Sequence, residues 1–229
     1  MTMQGKRARA AGAMSGQVLI SFALAFIVLL GFAALAVDAT GAWMADQKQE
    51  EALTAVREAV MSHQNAIKYG EYISDREGSE PSTKTAFKIC GDAIGDNLGR
   101  GAEKQTDAKL SRIEVYVYEL PESKTGPADR YIGVEVKAEA AWKPFFGGAV
   151  GLKGIPIRNE IAFVVHPYSQ TRVFRGPMNA ENGRYCDVDL SSNPSYDFNA
   201  GGAAISWSQL PRELRDTLDG ACAQPSSVR

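Results

Sequence analysis

The stretch VLISFALAFIVLLGFAALAV, residues 18–37, holds no charged side chain, and its reading decides how the rest of the chain is arranged. It is 20 residues long. At about 1.5 Å of rise per residue, a helix of that length spans roughly 30 Å, the hydrocarbon thickness of a bilayer. Lys6, Arg7 and Arg9 precede it with no acid among them. Asp38, Asp46, Glu50 and Glu51 come after it, with Lys48 the only nearby base. The basic flank stays in the cytoplasm. The expectation is a cytoplasmic basic leader over 1–17, one transmembrane helix over 18–37, and the remainder outside the cytoplasm, so that the chain crosses the cytoplasmic membrane once with its N-terminus in. Two readings compete for the segment. One is a cleaved secretory signal with Ala34-Leu35-Ala36 as its site, but the run exceeds the usual 7–15 apolar residues of such signals. The other is a buried helix of a soluble core, which the basic leader and the uninterrupted length argue against.

Beyond this segment the composition is ordinary, with a formal net charge of −2 over 229 residues. Without the leader's three basic residues, 22 basic and 27 acidic side chains remain, a charge of −5. A mildly acidic body gives no reason to expect nucleic-acid binding. Three cysteines in an exported domain predict at most one disulfide and one leftover thiol. Cys186 and Cys222, both in the C-terminal part, are the first candidates for pairing, and Cys90 reads as a small buried residue on a helix.

After Asp38 the helix is expected to continue to about Tyr69, because Leu53, Val56, Val60, His63 and Ile67 recur at spacings of three and four, flanked by Ala52, Ala55 and Ala59. Gly70 stands where a helix stops. Residues 38–69 are thus an amphipathic stalk. Residues 70–166 read as an extracytoplasmic α+β domain. It begins with a polar loop, followed by a helix over Thr83–Leu98 whose buried face is Phe87, Cys90, Ile94 and Leu98. The period then changes to two. Ile113, Val115 and Val117 alternate with Arg112, Glu114, Tyr116 and Tyr118 in Leu110–Leu120. In Arg130–Trp142, Ile132, Val134, Val136, Ala138, Ala140 and Trp142 oppose Tyr131, Glu135, Lys137 and Glu139. Ile155–His166 repeats the alternation. Three such strands predict an antiparallel sheet with one wet face, its apolar face packed on residues 52–67 and the remainder covered by the 83–98 helix. The connection Lys143–Gly154 is apolar for a loop, with Phe145 and Phe146 either a contact tip or tucked under the sheet edge. Residues 167–229 read as a C-terminal extension with short strands at Val173-Phe174 and Tyr185–Leu190. Its last element is a helix over 208–218, capped by Ser208, with Leu210, Leu214 and Leu218 on one face. The fold class is α+β, a long N-terminal helix on a small antiparallel sheet.

No G-x-S-x-G, H-E-x-x-H, P-loop or C-x-x-C motif is present, so neither an enzyme nor a cofactor is expected. The two histidines, His63 and His166, read as structural. Asp187 and Asp189, with Asp197 nearby, lack the central Gly and terminal Glu of an EF-hand loop, and a solvated strand face explains them better than calcium.

The segment Ser15-Gly16-Gln17-Val18-Leu19-Ile20-Ser21-Phe22-Ala23-Leu24 resembles the start of the TadE/TadG-like minor pilins (pseudopilins) of Tad, or Flp-type, pilus assembly systems. The resemblance implies a prepilin peptidase cut after Gly16, Gln17 as the new N-terminus, and Phe22-Ala23-Leu24 as the run that comes after the family's Glu. In that family the Glu carboxylate pairs with the N-terminus of a neighbouring subunit during assembly; here it is replaced by Ser21. Trp142-Lys143-Pro144-Phe145-Phe146-Gly147-Gly148 and Ile155–Val165 are similar to the family's aromatic loop and closing strand, so the likeness covers roughly residues 14–166. It implies a pilin-like fold and a non-enzymatic membrane subunit in Tad-type pilus assembly or a related secretion system. Its partners would be the lipid bilayer, other pilin-like subunits or pilus platform proteins, and the prepilin peptidase. Small residues at Ala23, Ala25, Gly31, Ala33 and Ala34 suit close helix packing in lipid. The alternative is a membrane-tethered extracytoplasmic binding or adhesion domain unrelated to pili, with residues 167–229 as its contact surface. An exported enzyme ranks below both.

Overall fold

The first proline of the chain is Pro81, so no proline interrupts helix formation across the apolar segment or the stalk beyond it. Helix α1 runs unbroken over Gln4–Val60, 57 residues. The computed structural model describes residues 4–66, 82–98, 108–120, 131–166, 183–190 and 202–223. Two halves of α1 behave differently. Residues 18–37 are exposed, Ala34 alone being half-buried. From Asp38 onward one stripe turns inward: Ala45, Gln49, Leu53, Val56 and Val60 are buried.

The helix ends at Val60, short of the expected Tyr69. The cause is local competition for backbone groups. The Asn65 side-chain amide donates to the Ala59 carbonyl at 2.7 Å, and the Ser62 hydroxyl accepts from the Asn65 N–H at 3.4 Å. The chain therefore leaves helical phase, and His63 is exposed rather than part of the buried stripe. Ile67, Tyr69 and Gly70 lie outside the described residues.

Helix α2 spans Ser82–Asn97 and buries Phe87, Cys90, Ile94 and the adjoining Leu98 as expected. Strands β1 (Ala108–Glu119), β2 (Ile132–Trp142), β3 (Ile155–Val165), β4 (Gly183–Asp189) and β5 (Ala203–Ile205) form one sheet in the order β3-β2-β1-β4-β5. Every pairing is antiparallel. Val115 stands opposite Val136 and Cys186, and Val136 opposite Ile161. This register puts the alternating apolar residues of four strands on one face. Helix α1 lies along β3 on that face, and α2 covers β1 and β4. The sheet is wider than the three strands expected, because β4 takes the second edge of β1 and β5 adds to β4. Val173-Phe174 lies outside the described residues.

The opposite face is not wholly wet. Helix α3 (Arg212–Ala223) packs on β2 and β3 and buries Leu214 and Leu218 against Tyr118, Leu120, Tyr131 and Leu210. A Cβ on Gly133 would come within 2.7 Å of the Leu218 Cγ, so the helix approaches as closely as it does because β2 has no side chain there. The helix starts at Arg212 rather than at Ser208. Ser206 and Gln209 instead form a capping box around a short 3-10 turn, Trp207–Gln209, and Pro211 precedes the helix. Glu135, expected on the wet face, is fully buried beneath this helix. Its carboxylate accepts the Leu214 N–H at 3.1 Å, where the helix N-terminus favours negative charge, and pairs with the Lys137 ammonium at 2.8 Å. Burial pushes its pKa up, and the Lys137 contacts only partly offset that.

The expected Cys186–Cys222 disulfide is not made. Cys186 faces the core shared with α1 and α2, whereas Cys222 is exposed on α3, which packs on the other face. The sheet stands between them.

Candidate functional site

The first charged residue after the apolar segment is Asp38, and it is buried. The turn between β2 and β3 explains how a carboxylate is accommodated there. That turn carries a short 3-10 segment, Gly147–Val150. Three successive backbone N–H groups at its start point at the carboxylate. Phe145 donates to Oδ1 at 2.8 Å, Phe146 to both oxygens at 3.1 Å, and Gly147 to Oδ2 at 2.5 Å. Burial raises the carboxyl pKa, but the three donors together outweigh it and hold Asp38 below the usual carboxylate range. A Cβ on Gly147 would come within 3.2 Å of Oδ2 and 2.9 Å of the Leu152 Cδ1, so a larger residue would spoil the approach.

Two further contacts fix the same end of the sheet to α1. The indole of Trp142, at the end of β2, lies over Gly41: a Cβ there would be 2.4 Å from Cζ2. One strand away, the Asn159 side-chain amide donates to Asp46 Oδ1 at 2.9 Å and to Gln49 Oε1 at 3.1 Å. Asn159 stands opposite Ala138 and so faces α1 among apolar neighbours, where it specifies one register of helix on strand. The whole makes a clasp: carboxylate on turn, indole on glycine, amide on amide. It joins α1 to the sheet at the point where the exposed half of the helix ends.

The outer surface of the clasp is apolar. Phe145, Phe146 and Leu152 are exposed, with the two phenyl rings edge to face at 5.0 Å between centroids. Lys143 and Lys153 flank them and are also exposed. Phe145 and Phe146 are thus a presented tip rather than tucked under the sheet edge.

The residues singled out from the N-terminal sequence are spread along one exposed helix. Gly16 lies within α1, and Gln17, Ser21, Phe22, Ala23 and Leu24 are exposed on it. The Ser21 hydroxyl donates to the Gln17 carbonyl at 3.0 Å. Asp187, weighed as a calcium ligand, is held instead by Arg112, whose Nε and Nη2 reach its two oxygens at 2.7 and 2.6 Å. Asp197 lies outside the described residues. Among the described residues no group of three His, Cys, Asp or Glu side chains is placed to hold a metal. His166 packs edge-on against Tyr131.

Sequence reasoning missed Asp38, Gly41, Trp142 and Asn159 as one cluster. The available signal was the lone acid closing the apolar run and the Phe-Phe-Gly-Gly turn with its unclaimed amides.

No family model, curated protein or solved structure matches the chain. The arrangement itself, a long apolar N-terminal helix laid on a small antiparallel sheet, is pilin-like.

Proposed function

We propose that this chain is a non-enzymatic, pilin-like (pseudopilin) membrane subunit that takes part in the assembly of a Tad-type pilus or a related secretion system. The observation that carries the reading is that residues 18–37, exposed at every position but Ala34, belong to the same unbroken helix as the buried stripe of residues 45–60. In this reading lipid and neighbouring helices cover the exposed half. A rigid helix transmits any lateral packing in the bilayer to the position of the sheet domain. Gly31 supports the idea, since a Cβ there would meet open space among the described residues, which leaves room for the close approach of a neighbouring helix. Helix continuity also speaks for an anchor over a cleaved signal, because the backbone at Ala36 is still helical and its carbonyl accepts the Thr40 hydroxyl at 2.8 Å.

One observation favours the second reading, a membrane-tethered binding or adhesion domain unrelated to pili. The family's Glu is Ser21 here, and its hydroxyl is satisfied by Gln17 within the helix. It needs no amine from a neighbouring subunit.

Mass spectrometry of the mature chain isolated from membranes tests the proposal. Gln17 as first residue supports pilin processing at Gly16. An intact leader makes the chain a plain tethered domain, and a chain beginning at Val37 makes it a secreted protein.

A further inference from the structure

We infer that the turn between β2 and β3 is a second lipid-contacting element, which seats Phe145, Phe146 and Leu152 in the interfacial layer of the leaflet through which α1 emerges. This rests on the reading of residues 18–37 as a membrane span.

The geometry leaves the turn little choice of place. Its backbone is hydrogen-bonded to Asp38, the residue that ends the uncharged run. Its height along the membrane normal is therefore that of the helix exit. The headgroup layer outside the hydrocarbon is about 5–8 Å thick on each side. A tip fixed at Asp38 lies inside that layer. Trp43, exposed on α1, sits about 7.5 Å further along the helix and marks its outer edge, where indoles collect.

The chemistry of the tip matches that place. Phe145 is 81% exposed, Leu152 51% and Phe146 45%, an apolar cluster on a loop that in water would favour polar residues. Lys143 and Lys153 stand exposed at the two ends of the turn, where ammonium groups suit anionic headgroups beside the apolar tip. With α1 as one contact and the tip as another, the sheet has a fixed tilt and rotation on the bilayer, and Asp38 is the positioning residue that sets both.

The test uses the full-length chain in nanodiscs of phosphatidylcholine and phosphatidylglycerol. A nitroxide is placed at residue 145 through Phe145→Cys in a Cys222→Ser background, since Cys90 and Cys186 are buried. Matched labels go at Leu35 and at Arg212. Access to dissolved oxygen and to a water-soluble nickel chelate is then read at each. The expected result is loss of nickel access at 145, as at 35, with oxygen access kept, while 212 stays open to nickel. Nickel access at 145 equal to that at 212, with 35 still lipid-like, overturns the inference and leaves the membrane span intact. If 35 is also open to nickel, the span itself fails. Loss of both reagents at 145 with spin–spin broadening gives the tip to a second copy of the chain and likewise overturns the lipid assignment.

Discussion

Replacing Gly41 with Leu sets two physical effects against each other with opposite signs. Helix propensity alone favours Leu over Gly in a helix interior by about 0.8 kcal/mol. The structure predicts the reverse. A Cβ at residue 41 would lie 2.4, 3.0 and 3.1 Å from three indole carbons of Trp142, where ordinary carbon contacts are near 3.5–4.0 Å. The ring is buried at the end of the sheet, so moving it aside displaces packed neighbours. Overpacking of this kind costs about 1–3 kcal/mol, and the bulk of Leu places it toward the upper end, leaving a net loss of about 1–2 kcal/mol after the propensity gain. Trp142→Ala alone is expected to cost about 3–5 kcal/mol through the void it opens. In the double variant the Leu side chain enters that void, so the combined loss falls short of the sum by about 1 kcal/mol or more, beyond the 0.3–0.5 kcal/mol scatter of independent sites. Urea unfolding of the full chain in detergent micelles, followed by far-UV circular dichroism, reads all three. With a urea slope of about 2 kcal/mol/M, the middle of the usual range, Gly41→Leu lowers the midpoint by roughly 0.5–1 M. A raised midpoint, or losses that simply add, would refute the close approach of helix and indole.

Asp38→Ala should release the turn. Amide hydrogen exchange at residues 145–147 is expected to accelerate while that of β2 and β3 is kept, and equal protection in both proteins would count against the carboxylate as clasp. The pH dependence has a definite sign: the Asp38 pKa is depressed in the folded chain, so its contribution is full above the ordinary carboxylate value of about 4 and is lost as pH falls through the depressed one. Asp38→Asn should flatten that acid step in the exchange of residues 145–147. Gly133→Ala drives a methyl into Leu218 and should lower stability by about 1–3 kcal/mol, with Leu218→Ala in the same chain reducing the added loss. With maleimide, Cys222 should react in the native protein and Cys186 only after unfolding. Cys90, whose thiol burial pushes up to about 12, should also stay inert until then, and equal masses with and without reductant should show three thiols.

Periodicity accounts for the part of the fold that was legible in the sequence. Alternation in β1, β2 and β3 says which side chains share a face, and the helices cover that face as expected. It does not say what lies over the other face. Glu135 read as wet because its neighbours Lys137 and Glu139 are charged, and only a helix arriving some 80 residues later, with Leu214 donating to its carboxylate, makes it buried. The Leu214 and Leu218 stripe was legible, but not its target, which is set by the absence of a side chain at Gly133. Cys186 and Cys222 failed as a pair for the same reason, since separation in sequence carries no information about which side of a sheet a residue takes. Asp38 was visible as a charge, while its three donors lie more than 100 residues away.

On the proposed reading of the chain as a pilin-like subunit, Asp38 and Ser21 together bear on how it would assemble. In the family that residues 15–24 resemble, a carboxylate within the apolar run awaits the N-terminus of a neighbour. Here every polar side chain from residue 18 to 40 is satisfied inside the chain: Ser21 by Gln17, Thr40 by Ala36, and Asp38 by the turn. An unpaired acid in lipid costs several kcal/mol and so enforces partnering, and moving the first acid to residue 38 and closing it with the chain's own amides removes that compulsion. Lateral association would then rest on close packing around residues such as Gly31 alone, a weaker and more reversible drive, suited to a subunit that joins an assembly without being locked into it.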